Sequence, residues 1–246
     1  MYEDRKEYIY LVQCDTVHEL YDYYENHPDV IYLAYTVGKF DLLIQTDKPL
    51  DVIPNNTILH GSRSNYMFAE TPYYGFEKAF GKMEDLLNRS HDSSCLVVEY
   101  PKKPAIKGAY YGSLIFTYLK YDLRPNYTTI VRKVGISFTS FYKGFEYLLE
   151  VSTVLLPYYP FGFHQYSQHF FVFWSDYEEF LCELFGLLPC HVCITKINDA
   201  LLIYASILRD GVSKYRLFHL CYDLLKRGFV NRFWTAIPGF HWKPDP

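Results

Sequence analysis

The sequence predicts an α+β chain in which two βαββαβ units flank a central helix-turn-helix. Three observations carry this. The stretch Thr128 to Leu148 holds two helical patterns that meet at Gly135. The order strand, helix, strand, strand, helix, strand runs through the first hundred residues and returns from Gln168. The two halves also align: Pro28 and Pro189 each end a first helix, and Leu42-Leu43-Ile44 matches Leu201-Leu202-Ile203. The second copy is two residues shorter, and the loss falls in the turn that holds Gly38-Lys39.

In the first unit Tyr8 to Cys14 reads as a strand. Thr16 to Asn26 has Val17, Leu20, Tyr21 and Tyr24 at helical spacing, with Asp15 or Thr16 as cap and Glu19 placed for a capping box. His27-Pro28 ends that helix, because the residue before Pro is pushed out of the helical region. Val30 to Val37 and Phe40 to Thr46 are two strands joined at Gly38-Lys39. Thr57 to Phe68 reads as an inserted hairpin with a Gly-Ser turn. A helix from Thr71-Pro72 puts Phe76, Phe80, Met83 and Leu87 on one face, and Cys95 to Tyr100 is the closing strand. This order is the ferredoxin-like split unit, with helices on one face of an antiparallel sheet.

Pro101 to Gly108 reads as a linker. Tyr111, Leu114, Ile115, Tyr118 and Leu119 form an amphipathic helix ahead of the helix-turn-helix, giving a winged-helix-like domain. Gly135 takes the left-handed conformation of the tight turn, and Ser137 caps the second helix. Val151 to Tyr166, rich in Pro, Gly and aromatics, is a wing or a packed linker. The second unit has His169 to Trp174, a helix from Asp176, the strand pair Cys190 to Ile197 and Ala200 to Ile207, a helix Ser213 to Arg227, and Phe229 to Ile237. The domains are thus 1–100, 101–166 and 167–246.

Half of the 246 residues are hydrophobic, so a substantial core is expected. The 26 Tyr suit half-buried surfaces and interfaces, since each joins an apolar body to a polar tip. A net charge of -4 argues against coating nucleic acid by bulk charge. No apolar run is long enough to span a membrane and no signal peptide is visible, so a cytoplasmic protein with no membrane partner is expected. The six Cys read as buried free thiols, and Cys190-His191-Val192-Cys193 lacks the second ligand pair a structural zinc needs. No cofactor, metal site or catalytic residue is implied by the residues alone.

Some stretches resemble a known family. Val134-Gly135-Ile136-Ser137-Phe138-Thr139 is similar to the turn and recognition-helix start of the Lrp/AsnC (feast-famine) transcription regulators. His27 to Val30, followed by Thr36-Val37-Gly38-Lys39-Phe40-Asp41, resembles that family's effector-domain signature. The resemblance implies a homodimer on double-stranded DNA, controlled by a small-molecule effector such as an amino acid. The DNA-contacting set would be Arg124, Arg132, Lys133, Ser137, Thr139, Ser140 and Lys143; the effector set would be Gly38, Lys39, Phe40 and Asp41. The chain departs from the family in placing the helix-turn-helix between two effector-type units. Its second copy carries Ile197-Asn198-Asp199-Ala200 in place of the Gly loop.

The leading expectation is therefore a DNA-binding transcription regulator. Each sharp feature also has a plainer reading. The helix-turn-helix can be a packing or protein-contact bundle, and its recognition helix holds no Arg, the commonest reader of guanine. Gly38 is explained by a turn without any ligand. Two alternatives follow. Some proteins similar to Lrp/AsnC regulators act on tetrapyrroles, as siroheme decarboxylases do, with His, Arg or Tyr around a macrocycle. A non-catalytic protein-interaction module with a degenerate helix-turn-helix is the other.

Overall fold

The computed structural model describes residues 3–4, 6–100, 102–103, 109–120, 122–152, 154 and 159–243. Most of the linker read at Pro101 to Gly108, and much of the wing read at Val151 to Tyr166, lie outside the described residues. Numbered in chain order, the elements begin β1 (Glu3–Asp4), β2 (Tyr8–Val12), α1 (Val17–Glu25), β3 (Val30–Gly38), β4 (Leu42–Thr46), β5 (Thr57–Ser62), β6 (Met67–Phe68) and α2 (Phe76–Leu87). The middle supplies β7 (Lys102–Lys103), α3 (Ala109–Leu119), α4 (Tyr127–Val134) and α5 (Phe138–Val151). The last part supplies β8 (Tyr166–Trp174), α6 (Glu178–Gly186), β9 (Val192–Ile197), β10 (Ala200–Leu208), α7 (Gly211–Lys226) and β11 (Arg232–Trp242). The chain is mixed α+β and divides into two compact units, one of 6–101 with 157–244, the other built on 102–156.

The larger unit is one antiparallel sheet of nine strands, in the order β5-β2-β4-β3-β11-β8-β10-β9-β6. The first helix-bearing strand of each copy sits inside its half, and the loop-connected pair folds back beside it. The long strand β11 joins the halves. Arg232 to Ala236 pair with β8, and Ala236 to Trp242 pair with β3 across a bulge at Gly239. The far edges then return on each other. Arg63 bridges Ile197, Ser64 N–H donates to the Lys196 carbonyl at 2.9 Å, and Asn198 Nδ2 donates to the His60 carbonyl at 2.7 Å. The sheet therefore curls until the end of β5 comes beside β9.

Alternation along the strands divides the core into an inside and an outside. Ile9, Leu11, Ala34, Leu43, Phe170, Val172, Trp174 and Leu202 meet inside the curl. Tyr10, Val12, Leu33 and Ile44 face outward under α1. Phe171, Phe173, Ile194, Leu201 and Ile203 face outward under α6 and α7. A one-residue slip in any strand would exchange these sets, so the register is strongly specified.

Three sequence expectations are corrected here. Cys95 to Tyr100 is not a strand. The edge beside β2 is already taken by β5, and Val97 in that stretch is 94% exposed. The segment is instead tied down at intervals, by Leu96 N–H donating to Glu178 and Glu99 accepting from Asn65 N–H. The stretch Thr57 to Phe68 is not a hairpin: β5 pairs with β2 and β6 pairs with β9. The helix expected to complete the first copy, α2, begins at Phe76 and packs Phe76, Phe80, Met83 and Leu87 into the second copy's core beside Leu181, Leu184, Leu217 and Leu220.

The smaller unit contains the helix-turn-helix as read. Asn126 caps α4, Gly135 turns at φ 70°, and Ser137 Oγ accepts from Ser140 N–H at 3.1 Å to cap α5. Ile115, Leu119, Ile130, Val131 and Phe141 form its core. Two glycines let α3 and α5 touch. A Cβ on Gly144 would lie 2.7 Å from the Tyr111 carbonyl carbon, and one on Gly112 would lie 2.4 Å from the Tyr147 ring. Glu3–Asp4 and Lys102–Lys103 pair antiparallel in the same unit.

Candidate ligand site at the open end of the curled sheet

The inside of the curl is apolar in its middle and polar at one end. Stepping two residues along each strand from the buried inner layer gives the next layer. Ala34 leads to Tyr32, Leu43 to Gln45, Phe170 to Gln168 and Leu202 to Tyr204; on β9, Thr195 leads to Cys193 and on to His191. These side chains close into a ring. Tyr32 stands opposite Gln45 in the β3–β4 register, and Tyr66 Oη donates to Gln45 Oε1 at 2.9 Å. Tyr66 lies 6.1 Å from Phe68, Phe68 stacks on His191 at 5.9 Å, and His191 meets Tyr204 edge-on at 6.0 Å between centroids. Beside Tyr32, its hydroxyl and His241 Nδ1 share a short hydrogen bond.

Several ring side chains are partly exposed while neighbouring protein atoms desolvate their polar tips. Tyr66 keeps 37% exposure, yet burial pushes its phenol up to about 12. Tyr32 and Tyr204 are pushed up well above the usual phenol range, again by burial first and then by neighbouring phenols, including each other for Tyr32. Burial pushes the Cys193 thiol up to about 12, with Arg63 opposing. The imidazoles move the other way: burial lowers His191, and burial with the Lys243 charge lowers His241. At neutral pH the end of the curl thus holds protonated phenols and neutral imidazoles, able to donate hydrogen bonds and to offer nitrogen lone pairs.

A buried ion pair holds one side of the ring in place. Arg63, 6% exposed, donates from Nε to Glu7 Oε2 at 2.9 Å and from Nη1 to the Ser64 carbonyl at 2.7 Å. Gln45 Nε2 donates to the same Glu7 oxygen at 2.7 Å, which links the ion pair to the Tyr66 hydroxyl through Gln45. The guanidinium lies 3.9 Å from the centre of the Tyr66 ring. Among the described residues no group of three His, Cys, Asp or Glu is gathered to hold a metal ion, Cys190 to Cys193 included. A neutral imidazole of the ring still offers a nitrogen lone pair to a ligand.

The residues singled out from sequence lie elsewhere. Gly38 has φ 152°, and a Cβ there would meet the Thr235 carbonyl oxygen at 2.4 Å, so the position serves the β3–β11 joint. Lys39 N–H donates to Thr235, Phe40 is fully buried, and Asp41 Oδ2 accepts from Cys14 N–H at 2.9 Å. Arg124, Arg132, Lys133, Ser137, Thr139 and Lys143 are exposed in the smaller unit, and Ser140 is half-buried. Ser137 and Ser140 are occupied with each other at the α5 cap. The ring of the larger unit was missed. Its members come from β3, β4, β6, β8, β9, β10 and β11, from the Tyr66 loop and from His191 just before β9, so no local motif contains them. The one signal was the surplus of Tyr.

No family model matches the chain, and no curated protein matches it. Two solved structures are similar in course: the siroheme decarboxylase NirDL, and the same enzyme in co-complex with an iron-uroporphyrin III analogue. The TM-scores are 0.45 and 0.44 at 11% identity, over 100% and 99% of this chain and 76% and 75% of those chains. A likeness of that size carries no functional argument for this chain. Both structures are of an enzyme, and neither is of a DNA-binding regulator. The expectation of a DNA-binding transcription regulator is withdrawn. The Lrp/AsnC resemblance has only these distant structural neighbours behind it. No helix among the described residues is long and apolar enough to cross a membrane.

Proposed function

We propose that the open end of the curled sheet binds a planar tetrapyrrole carrying carboxylate side chains, and that the chain acts on it as a siroheme decarboxylase-type enzyme does. This is the first of the two alternatives the sequence admitted. The observation that supports it is the ring of Tyr32, Tyr66, Phe68, His191, Tyr204 and His241 above an apolar floor. Aromatic faces suit the flat macrocycle, neutral imidazole suits its metal, and hydroxyls suit its carboxylated edge. In this reading the two four-stranded halves are ferredoxin-like units whose inner faces make one shared site.

The chemistry asked of the residues is small. When an acetate side chain loses carbon dioxide, the bond between methylene and carboxylate breaks and its electron pair is delocalised into the macrocycle. A proton must then reach the methylene carbon, leaving a methyl group. Tyr32 keeps its proton at neutral pH and is hydrogen-bonded to His241, so this pair is the assigned proton source, recharged from solvent through the exposed His241. The desolvated floor favours the uncharged product over the carboxylate.

The test is an absorption titration with iron uroporphyrin III, paired with mass analysis of a tetrapyrrole that bears acetate groups. Wild type should shift the Soret band, and Tyr204→Ala and His191→Ala should weaken binding by about tenfold or more. Tyr32→Phe should keep binding and lose release of carbon dioxide. An unshifted wild-type band, or variants that bind like wild type, would overturn the assignment.

A further inference from the structure

The helix α7 carries a second stripe besides the one it buries. Leu217, Leu220, Cys221 and Leu224 face the core. Val212, Tyr215, His219 and Tyr222 face away at alternating spacings of three and four, and Val212, Tyr215 and Tyr222 are 69%, 69% and 62% exposed. That spacing is the one a two-helix seam uses. A shallow cleft of about 270 Å³ runs along one flank, between Phe80 and Glu84 of α2 and Tyr215, Arg216, His219 and Asp223 of α7.

The charges on that flank choose the occupant. Arg216 and Asp223 sit on the same side of the stripe, about equally far from His219 on either side of it along the helix. In an antiparallel pair of identical helices, the same flanks face each other and residues equidistant from the centre are opposed. Centred on His219, such a pair sets Arg216 against Asp223 of a second copy, twice, and Tyr215 against Tyr222, twice. The face is complementary to itself in charge and in shape class, which is what a two-fold interface requires. Within one chain Arg216 donates to Glu84 at 2.6 Å and lies 4.9 Å over the Phe80 ring, and Asp223 Oδ2 lies 3.3 Å from His219 Nδ1, so docking exchanges two exposed in-chain contacts for the reciprocal pairs.

We propose that a second copy of this chain docks on α7, antiparallel, with His219 on the two-fold axis and reciprocal Arg216–Asp223 pairs on its flank. The site at the open end of the sheet is not involved, so this proposal stands or falls apart from the tetrapyrrole reading.

Analytical ultracentrifugation of the full chain tests it at several concentrations. Wild type should dimerise. Arg216→Asp alone and Asp223→Arg alone should each raise the dimer dissociation constant by about tenfold or more, by opposing like charges. The double variant should recover most of that loss, because the exchanged charges pair again. His219→Glu should abolish the dimer by setting two carboxylates face to face. Circular dichroism of each variant checks that the fold is intact. A monomeric wild type, or a dimer indifferent to these changes, or a double variant no better than the singles, would overturn the proposal.

Discussion

Arg63→Met is the sharpest probe of what closes the curled sheet. The side chain is replaced by one of similar reach that cannot donate. Lost are the bonds from Nε to Glu7 and from Nη1 to the Ser64 carbonyl, together with the guanidinium lying against Tyr66. Glu7 then keeps only the Gln45 amide on the oxygen that Arg63 engaged. Breaking a buried ion pair from one side costs about 3–5 kcal/mol, because the remaining charge is uncompensated. The Glu7 side chain retains 16% exposure, so solvent screening puts the cost near the lower end, about 3 kcal/mol. Its melting transition should fall by on the order of 10 °C for a unit of this size. Adding Glu7→Gln removes the stranded charge and should restore stability to within about 1 kcal/mol of wild type. Thermal and urea unfolding of the four proteins completes the cycle. A cost below about 1 kcal/mol for Arg63→Met, or a double variant no better than the single, would refute the claim that this pair is a tight, desolvated clasp.

Two further outcomes follow from particular residues. His169 is 2% exposed, no described group accepts or donates to either ring nitrogen, and burial with the Lys214 charge lowers it to about 4 from an ordinary 6.5. The unfolded chain binds that proton first as pH falls, so wild type should lose up to roughly 3 kcal/mol between pH 6.5 and pH 4 and keep full stability above that window. His169→Leu should flatten this slope in pH-dependent urea unfolding; an unchanged slope would rule His169 out as its source. In the smaller unit Gly144→Ala forces a Cβ to within 2.7 Å of backbone in α3, and should cost about 1–3 kcal/mol, read as an earlier loss of helical circular dichroism. A variant as stable as wild type would mean that α3 and α5 do not approach as closely as described.

What was legible in the sequence was what is written locally. Gly135, Ser137 and the apolar spacing on either side fixed the helix-turn-helix, because turn, cap and periodicity all act within a few residues. The second copy was read nearly complete, since each of its strands lies beside a sequence neighbour or follows a helix that packs on its own half. The first copy misled. Its strand pattern at Cys95 to Tyr100 is apolar enough, but whether a strand forms depends on a free edge, and β5 had taken it. The α2 stripe was correctly apolar, yet a stripe does not say which sheet it covers. The regulator reading failed in a related way, by taking function from element order and a few short residue matches. The ring of tyrosines and histidines was invisible because each member is an ordinary inner-face residue of a different strand. Only the curl of the sheet brings Tyr32, Tyr66, His191, Tyr204 and His241 together.

The most direct measurement of the central claim is the position of the iron atom in crystals grown with iron uroporphyrin III, located by anomalous scattering at the iron edge. The account predicts a single strong peak inside the ring, within ligation distance of His191 or His241 and over the floor formed by Phe170 and Ala34. A peak outside the curled sheet, or saturation of the protein in solution with no peak in the ring, would contradict it.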